Sequence, residues 1–436
     1  MIGAVKDQNE ILKKLGIASL NPMQMEMADA IANHLEVQLL SPTGTGKTLA
    51  FLLPLLSVLD RTVGEVQLLI LVPSRELAMQ IEQVCRQMGS GFKTNAVYGG
   101  RSSSKDRTEL EHKPAILIGT PGRVADHIRR GTFSTSYLQT LVLDEFDKSL
   151  EVGFADDMSE IISALPQLKR RVLTSATQKL KVPAFVGLSK PFRLNFLSEK
   201  TEQLELRQVN CAEEAKLDAL LQLLCMQGDK LGIVFCNFRE TIDDVSDFLK
   251  ANSIGHVCFH GGMEQQDRER ALLKFRNGSQ RLLIATDLAA RGIDVPELQF
   301  VVHFQLPPKE HEFTHRNGRT ARMHSNGFAY VLQAKGEYLP DFMQNLTEAK
   351  LHEAPLPPLP VWQTVLVSGG RKDKISKGDI AGLFLKQGGL QMEELGLIEL
   401  KQDCAFVGVK ATQVAALVKA TNNSRLKKKK VRVRLI

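Results

Sequence analysis

The chain has 436 residues, which is too long for one hydrophobic core and predicts two or three domains. Hydrophobic residues make up 43% and charged residues 24%, and no run approaches the roughly 18 consecutive apolar residues of a membrane span. The six cysteines are scattered without a CxxC pair, which argues against a zinc site or a disulfide framework. Since no secretory signal is present either, we expect a cytoplasmic protein with no membrane partner.

The net charge of +7 is distributed unevenly along the chain. Residues 361–436 hold 15 Lys and Arg against 6 Asp and Glu, a net charge of +9, whereas residues 1–360 carry −2. This asymmetry predicts a nucleic-acid-binding tail attached to a nearly neutral core. On charge alone, a solvated basic tail that only aids solubility is the alternative.

Short apolar runs alternate with helix-like segments through residue 335, which is typical of buried parallel strands in βα units. The first set of runs comprises Val37–Leu40, Leu68–Val72, Ala115–Ile118, Leu141–Leu143 and Arg171–Thr174. The second set comprises Gly232–Phe235, His256–Phe259, Arg281–Ala285, Phe300–Phe304 and Phe328–Leu332. We therefore predict two tandem doubly wound α/β domains over residues 1–198 and 207–350, with a hinge at the polar stretch Ser198–Arg207.

A Pro-rich stretch, APLPPLP at Ala354–Pro360, predicts a stiff linker over residues 351–360. The pattern βαββαβ follows in residues 361–436. Its strands are predicted at Thr364–Val367, Gly396–Leu400, Cys404–Val409 and Lys430–Leu435, and its helices at Asp379–Leu385 and Thr412–Ala420. This is the split-βαβ topology of RNA recognition motifs, so we predict a third, α+β domain of that type.

A glycine-rich loop, SPTGTGKT, follows the first strand and opens an apolar helix. Phosphates need backbone N–H groups that no side chain obstructs, while a lysine supplies a cation and a hydroxyl can bind Mg²⁺. We call this segment the phosphate loop; it consists of Ser41, Pro42, Thr43, Gly44, Thr45, Gly46, Lys47 and Thr48. A purely structural strand-to-helix turn is the alternative, although Lys47 and Thr48 favour nucleotide binding.

An acidic segment, Asp144-Glu145-Phe146-Asp147, ends another apolar run. Carboxylates at the carboxyl edge of a doubly wound sheet lie where such folds bind ligands. We expect Asp144 to hold Mg²⁺, largely through water and together with Thr48, and Glu145 to orient or deprotonate the attacking water. The alternative is a helix N-terminus whose carboxylates complement the helix dipole.

Three arginines occur in the segment HRNGRTAR at His315–Arg322. They can form a salt-bridged surface helix, or they can be arginine fingers that neutralise charge on the transferred phosphoryl group. Fingers from the second domain and a phosphate loop from the first would place ATP in an interdomain cleft. Domain closure would then couple ATP binding to any ligand that spans both domains.

Taken in order, these motifs and those between them resemble the DEAD-box RNA helicases from about residue 15 to residue 335. For nucleotide recognition and hydrolysis, the resemblance implies further roles for Gln24 at the adenine edge, for Asp294, and for the fingers Arg319 and Arg322. It implies coupling of hydrolysis to strand separation by Asp147, Ser175, Thr177 and His315. It implies RNA-backbone contacts by Pro73, Arg75, Gly99, Gly100, Thr120, Gly122, Arg123, Gln265, Arg268 and Thr286. The glycine turns agree with that role because they let backbone N–H groups approach phosphates, although each alone is more often only a turn.

Several positions depart from the family pattern. Phe146 stands where the family name has Ala, but the carboxylates remain, so we expect ATPase activity to survive. The first 50 residues contain no Phe, Tyr or Trp, so the aromatic that usually flanks the Q motif is missing and adenine stacking is expected to be weaker. Leu20 and Asn21 replace the usual Pro-Thr of the Q motif, and Asn317 and Ala321 replace the usual Ile and Gly of the finger motif.

Residues 361–436 resemble the C-terminal RNA-binding domain of the DbpA and YxiN type of bacterial helicase, which implies a hairpin of 23S ribosomal RNA as target. The segments that carry this resemblance are Val365–Lys372, Gly378–Ile380 and Val431–Leu435. Only Phe406 remains where RNA recognition motifs stack bases on two or three aromatics, and it can equally be a core residue. We therefore expect binding to depend on basic residues, among them Arg371, Lys372, Lys374 and Arg432.

The sequence thus predicts a monomeric RNA-dependent ATPase that uses ATP and Mg²⁺ to unwind short RNA duplexes during large-subunit assembly. Two alternatives remain open. One is a DEAD-box helicase of broader specificity, for instance in messenger RNA turnover. The other is an RNA chaperone or clamp that ATP closes without productive turnover.

Overall fold

The structure, a computed structural model, describes residues 8–42, 44–100, 103–177, 181–197, 204–287, 298–320, 327–343 and 346–436. Four residues named above, Thr43, Asp294, Ala321 and Arg322, lie outside this range, as do residues 198–203 of the predicted hinge. The described residues form two compact units that divide between Leu197 and Leu204. No helix within these ranges is long and apolar enough to cross a membrane.

The first unit is a parallel sheet with helices on both faces. Its strands are β1 (Glu36–Leu40), β2 (Leu68–Leu71), β3 (Thr94–Val97), β4 (Ile116–Gly119), β5 (Thr140–Leu143), β6 (Arg170–Ser175) and β7 (Phe192–Asn195), in the order β3-β4-β2-β5-β6-β1-β7. Its helices are α1 (Gln8–Leu15), α2 (Pro22–Asn33), α3 (Lys47–Leu55), α4 (Arg75–Met88), α5 (Ser103–Glu111), α6 (Pro121–Arg129), α7 (Phe146–Glu151) and α8 (Ala155–Ser163). Successive residues of β2 alternate between two cores, Leu68 and Ile70 in one and Leu69 and Leu71 in the other. A strand buried on both faces must be apolar throughout, which explains the continuous run LLIL.

The second unit begins with another parallel sheet. Its strands are β8 (Leu204–Cys211), β9 (Gly232–Phe235), β10 (Val257–Phe259), β11 (Leu282–Ala285), β12 (Phe300–His303), β13 (Gly327–Ala334) and β14 (Thr347–Glu348), in the order β10-β11-β9-β12-β13-β8-β14. Its helices are α9 (Lys216–Gln227), α10 (Arg239–Ala251), α11 (Gln265–Arg276) and α12 (Glu310–Asn317). The predicted hinge is wrong at its end, because Leu204–Arg207 already belong to β8. The sequence did not predict β8 because polar residues interrupt its apolar pattern. Most of its positions are only half-buried, and it is flanked on one side by the two-residue strand β14, so polar side chains are accommodated there.

The tail forms a four-stranded antiparallel sheet within the second unit. Its strands β15 (Trp362–Val367), β16 (Leu395–Leu400), β17 (Ala405–Lys410) and β20 (Val433–Leu435) are ordered β16-β17-β15-β20, and β18 (Arg425–Leu426) and β19 (Lys429–Lys430) form a separate hairpin. Two helices, α13 (Lys377–Gly382) and α14 (Val414–Thr421), contribute to one core with Val365, Val407 and Val409. The predicted fold class, two RecA-like doubly wound domains with an RRM-like α+β tail, is confirmed.

Candidate active site

The carboxyl ends of the strands in the first sheet carry two groups of predicted residues. Strands β5, β6 and β1 are consecutive in the sheet, and they lead to Asp144, Ser175 and the phosphate loop. Strands β3, β4 and β2 are also consecutive, and they lead to the motifs that contain Gly99, Thr120 and Pro73. The residues predicted to bind nucleotide, which we call the nucleotide group, and those predicted to bind RNA, which we call the RNA-type group, therefore lie side by side at one edge of the sheet. Ligand sites in doubly wound folds generally lie at this edge.

The Lys47 side chain is held by the first two residues of the phosphate loop. This residue begins α3, is almost completely buried, and its Nζ donates to the carbonyl oxygens of Ser41 and Pro42 at 2.8 and 2.7 Å. Gly44 and Gly46 have φ angles of 85° and 86°, in the left-handed region that favours glycine. The loop therefore brings a cation and the N-terminus of a helix to one place, an arrangement suited to phosphate.

Two side-chain contacts explain how the phosphate loop is fixed. The Ser41 hydroxyl, at a position where glycine is usual in phosphate loops, is fully buried and lies 2.8 Å from the Thr45 hydroxyl. The Thr45 hydroxyl also lies 3.0 Å from the carbonyl oxygen of Pro42. Thr48 is half-buried at the second position of α3.

Gln24 joins the start of α2 to the phosphate loop. Its Oε1 accepts from the backbone N–H of Asn21 at 3.0 Å, and its Nε2 donates to the Gly46 carbonyl at 3.3 Å. Asn21 caps α2 through the Gln24 N–H at 2.8 Å, and its Nδ2 donates to the Thr45 carbonyl at 3.1 Å. A side chain added at Gly46 would have its Cβ 2.6 Å from Gln24 Nε2, so it would displace the Gln24 amide in addition to straining the left-handed backbone. Asn21 provides both an acceptor for the helix and a donor for the loop, which accounts for this departure from the usual Pro-Thr.

Asp144 is a buried carboxylate directly after β5. Its Oδ1 accepts from the Thr174 hydroxyl and from the Glu145 N–H, the latter at 3.1 Å. Burial raises the pKa of Asp144, while the hydrogen bond from Thr174 and the positive charge of Lys47 act in the opposite direction. Asp144 after β5 and the phosphate loop after β1 lie at the same carboxyl edge of the sheet.

Glu145 adopts a left-handed backbone conformation, with φ 47° and ψ 49°, as the residue before α7. Such a conformation costs a non-glycine residue about 1–2 kcal/mol, and strain of this kind concentrates at functional sites. The next residue, Phe146, is fully buried in the core with Leu143 and Met158. The position at which the family has alanine is thus used for packing in this chain.

Ser175 and Thr177 form a turn that contacts the phosphate loop. The Ser175 hydroxyl accepts from the Thr177 N–H at 3.0 Å, and the Ser175 carbonyl accepts from the Ser41 N–H at 3.0 Å. Asp147 is also buried, and its charge contributes to the raised pKa of Asp144. The residues predicted to couple hydrolysis to RNA in this unit therefore adjoin the phosphate loop and Asp144.

The RNA-type group contains a close contact between an arginine and two glycines. Arg75 begins α4 after Pro73, and its guanidinium lies against Gly99 and Gly100. A Cβ built on Gly100 would lie 2.3 Å from Arg75 Nη1, and Gly100 has φ 82°. The positive φ favours glycine at this position, and a side chain there would also displace the Arg75 guanidinium.

The Thr120–Arg123 turn is held by a buried ion pair. Arg123 donates through Nε and Nη2 to Asp106 Oδ2 at 2.9 and 2.7 Å, and His127 Nε2 lies 3.3 Å from the same oxygen. Thr120 is buried directly before α6, and Gly122 leaves room for Asp157, whose Oδ2 would lie 3.3 Å from an added Cβ. Arg123 thus orients the turn as well as carrying charge.

In the second unit, Arg316 connects the carboxyl ends of three strands. It is fully buried and donates to Asp287 beyond β11, to Asn237 Oδ1 beyond β9 and to the Gln305 carbonyl beyond β12, the last two at 2.7 Å. Its guanidinium also lies 5.2 Å from the Phe235 ring centroid. Sequence reasoning grouped Arg316 with the two finger arginines and did not identify this structural role, because spacing alone does not show which arginine points inward.

The other predicted residues of this unit lie on two helices and one strand end. His315 and Arg319 are buried on and just after α12, next to Asn317, whose Oδ1 lies 2.8 Å from Nε2 of the buried His303. Thr286 follows β11. On α11, Arg268 lies 5.0 Å from the Phe259 ring centroid, and Gln265 Nε2 donates to Glu269 Oε1 at 3.4 Å.

Many basic residues of the tail are exposed around one turn and one hairpin. Lys429 Nζ lies 2.8 Å from Asp373 Oδ2, which joins the hairpin to the turn that holds the predicted RNA residues. Lys427 Nζ lies 2.9 Å from Asp379 Oδ1. The exposed cations of this turn, the hairpin and the last strand are Arg371, Lys372, Lys374, Arg425, Lys427, Lys428, Lys430, Arg432 and Arg434, and Lys377, Lys386 and Lys419 are exposed elsewhere on the tail.

Comparisons with known proteins agree with this arrangement. Residues 21–185 match the DEAD/DEAH box helicase family, residues 215–324 the helicase conserved C-terminal domain, and residues 364–435 the DbpA RNA-binding domain. The chain is 32% identical to the ATP-dependent RNA helicase DbpA of Escherichia coli, over 98% of this chain and 96% of that protein. The chain belongs to the DEAD-box RNA helicases, and its tail places it with the DbpA type. DbpA of Bacillus subtilis is 30% identical over 97% of this chain and 96% of that protein.

Solved structures of DEAD-box proteins share the fold of the core. Dbp5 of Saccharomyces cerevisiae, bound to RNA and ADP BeF3, aligns with a TM-score of 0.67 and 25% identity, over 78% of this chain and 93% of that one. The predicted family, the enzyme class of RNA-dependent ATPase and helicase, and the dependence on ATP and RNA are therefore confirmed.

Proposed function

We propose that this helicase unwinds short RNA duplexes in large-subunit ribosomal precursors, to which the tail recruits it by binding a hairpin of 23S ribosomal RNA. The observation that supports this target is the tail itself, an RRM-like fold of the DbpA type with a group of cations exposed around one turn and hairpin. The protein would act as a monomer in the cytoplasm. We also propose that the domains have the predicted boundaries, 1–198, 207–350 and 361–436 with a linker at 351–360, and that the site residues have the roles predicted for them.

For hydrolysis, the phosphate loop supplies backbone N–H groups and the Lys47 ammonium, and Glu145 orients the attacking water and accepts its proton. Gln24, which already contacts Gly46, would sense whether adenine is bound. Ser175, Thr177, Asp147 and His315 would transmit the change, and Asp294, Arg319 and Arg322 would complete the nucleotide contacts. Phosphoryl transfer needs positioning and charge neutralisation above all, and these residues supply both.

The residues also fit a magnesium ion. Asp144 is a buried carboxylate at the sheet edge that carries the phosphate loop, and Thr48 carries a hydroxyl at the end of that loop. Among the described residues no group of three or more His, Cys, Asp or Glu forms a protein metal cage. Mg²⁺ in nucleotide sites is bound by one or two protein ligands, water and phosphates, so this arrangement suits it. When bound, the ion would neutralise charge on the β- and γ-phosphates.

For RNA binding by the core, we propose backbone contacts without base readout. The supporting features are the glycine turn under Arg75 and the turn at Thr120, both at the carboxyl edge of one sheet, and Gln265, Arg268 and Thr286 in the second unit. Such contacts to phosphates and 2′-hydroxyls do not depend on sequence. Selectivity would therefore come from the tail.

The decisive measurement is the ATPase rate with a panel of RNAs, for the full chain and for a chain ending at residue 360. We expect large-subunit ribosomal RNA to stimulate the full chain most strongly. Deletion of residues 361–436 should remove this preference and leave stimulation by unstructured RNA. Equal stimulation of the full chain by every RNA would contradict the proposed target and support broader specificity.

A substitution at Glu145 tests the chemistry. Glu145→Gln preserves shape and the strained backbone position but removes the proton acceptor, so we expect RNA-stimulated phosphate release to fall by about 10²–10⁴-fold. RNA binding with ATP should persist. Phosphate release at the wild-type rate by this variant would contradict the role of Glu145. If the wild-type protein itself holds RNA in the presence of ATP but releases no phosphate, the alternative of an ATP-gated RNA clamp is supported.

A further inference from the structure

The open face of the tail's sheet lies against the second RecA-like domain. In β15 and β17, Val365 and Val407 point into the helix-backed core, so Thr364 and Gly408 lie on the opposite face. On that face, Thr364 is 1% exposed, and a Cβ built on Gly408 would lie 3.5 Å from Asn277 Cβ. Phe406, two residues before Gly408, is also buried on this face. The face that RNA recognition motifs ordinarily present to bases is thus partly covered by domain two.

The contact is made by a defined docking surface on each side. Domain two contributes α11 and the following turn, and the tail contributes β15, β16, the residue after β16 and Gly408 of β17. The members of the docking surface are Glu269, Arg276, Asn277, Gly278 and Ser279 on domain two, and Trp362, Thr364, Glu399, Lys401 and Gly408 on the tail.

A buried polar cluster lies at its centre. Asn277 Nδ2 donates to the Thr364 hydroxyl at 2.8 Å, and the Ser279 hydroxyl lies 2.8 Å from the same oxygen. All three residues are less than a tenth exposed. Buried hydrogen bonds of this kind have strict geometry, and a lost partner leaves a buried polar group unsatisfied, so the cluster fixes one orientation of the tail.

A chain of alternating charges borders the cluster. Arg276 Nη2 lies 2.9 Å from Glu399, Glu399 lies 2.8 Å from Lys401 Nζ, and Lys401 Nζ lies 3.5 Å from Glu269. Glu269 in turn accepts the hydrogen bond from Gln265. Contacts therefore run without a break from the tail to a residue assigned to RNA binding on domain two.

The same chain of contacts reaches the turn at Arg371–Asp373, which we call the basic turn because it carries cations predicted to bind RNA. The backbone N–H of Arg371 donates to the Lys401 carbonyl at 3.0 Å, and that of Lys372 donates to the Gln402 carbonyl at 2.9 Å. Lys401 thus contacts the tail's basic turn through its backbone and α11 through its side chain. Two segments assigned to RNA are joined by one residue.

We propose that Arg276, Glu399 and Lys401 are positioning residues that hold the tail in one orientation on α11. RNA held by the tail's basic turn is then presented to Gln265 and Arg268 on the same helix. Two binding sites held in fixed geometry act at a high effective concentration, and that advantage falls when one site swings freely on a linker. This inference rests on the proposed function, since it needs an RNA that binds the tail.

The test is Arg276→Glu in the full chain. The new carboxylate repels Glu399, although no residue assigned to RNA binding is altered. Trp362 is the single tryptophan of the chain, and its ring packs over Gly278, where an added Cβ would lie 3.3 Å away. We expect its emission to move to longer wavelength. We also expect the concentration of large-subunit ribosomal RNA that half-saturates the ATPase to rise by about tenfold or more.

Three controls accompany this variant. Arg270→Glu makes the same charge change at an exposed position of the same helix, away from the docking surface. It should leave both measurements unchanged. Arg276→Lys keeps the charge and should behave as wild type, and Glu399→Lys added to Arg276→Glu should recover at least part of the loss. The ATPase rate at saturating unstructured RNA should be equal in all variants, which also shows that the core is folded.

The outcomes separate this inference from the proposed function. If Trp362 emission shifts but half-saturation by ribosomal RNA does not, docking occurs without a positioning role, and the inference is overturned. The same conclusion follows if the emission does not change. If wild-type protein shows no preference for ribosomal RNA, the proposed function fails, whereas the emission still reports whether the docking surface forms.

Discussion

His303 shows how one residue explains a departure from the family pattern. It is fully buried at the end of β12, and its Nε2 lies 2.8 Å from Asn317 Oδ1 on α12. Burial and the charge of Arg316 lower the pKa of His303 to about 3, while Asn317 and Asp287 act in the opposite direction. The ring is therefore neutral and donates to Asn317. The isoleucine usual at position 317 would leave that buried N–H without this acceptor.

A neutral buried histidine makes stability depend on pH. Between pH 6.5 and about 3 the unfolded chain binds a proton at His303 that the folded chain does not. Stability therefore rises with pH across this window, by on the order of 1 kcal/mol per pH unit for one proton. His303→Gln keeps a donor for Asn317 but does not titrate. We expect it to flatten the fall of the thermal midpoint between pH 6.5 and 5, whereas His352→Gln, at an exposed histidine, should not. Equal slopes for both variants would contradict a neutral, buried His303.

At the scale of elements, the predictions succeeded where burial imposes a pattern. The run LLIL of β2 is apolar because both faces are covered, and the phosphate loop, Asp144 and Ser175 follow consecutive strands as the βα order requires. Strand β3, with the sequence TNAV, was missed because two buried polar residues interrupt its apolar pattern. Contacts between distant segments, such as Asn21 with Thr45 or Lys401 with Glu269, leave no local signal in one sequence.

The start of α2 illustrates how an element positions the phosphate loop. Asn21→Ala removes the helix cap and the donor to the Thr45 carbonyl together. Loss of such a cap costs about 1 kcal/mol. We expect a small loss of stability and a raised KM for ATP, with the half-saturating RNA concentration unchanged. Asn33→Ala is the matched control, since that side chain bonds only to Asp29 at the other end of α2 among the contacts described. A KM for ATP that stays at the wild-type value in Asn21→Ala would show that the contact does not support the nucleotide site.

For the whole molecule, the uneven distribution of charge predicts which part of the chain makes RNA binding depend on salt. The core is nearly neutral and is proposed to bind RNA through turns, while the tail carries +9 and exposes many of its cations around one turn and hairpin. Each phosphate contact contributes about 0.7–0.9 to the slope of log affinity against log salt concentration. The tail should therefore dominate the salt dependence of RNA affinity in the full chain, and substitution of single cations should show which of them contribute to it.

The last prediction concerns Arg371 and Lys372 in the full chain. Replacing both with glutamine should reduce that salt slope, measured with large-subunit ribosomal RNA between about 50 and 200 mM salt, by about 1.5 because two phosphate contacts are lost. The matched control, Lys386 and Lys419 both changed to glutamine, alters two exposed lysines on the helical side of the tail. It removes the same net charge and should keep the wild-type slope. Equal losses in the two variants would mean that total charge attracts RNA, and equal slopes in all three proteins would mean that the basic turn does not contact phosphate.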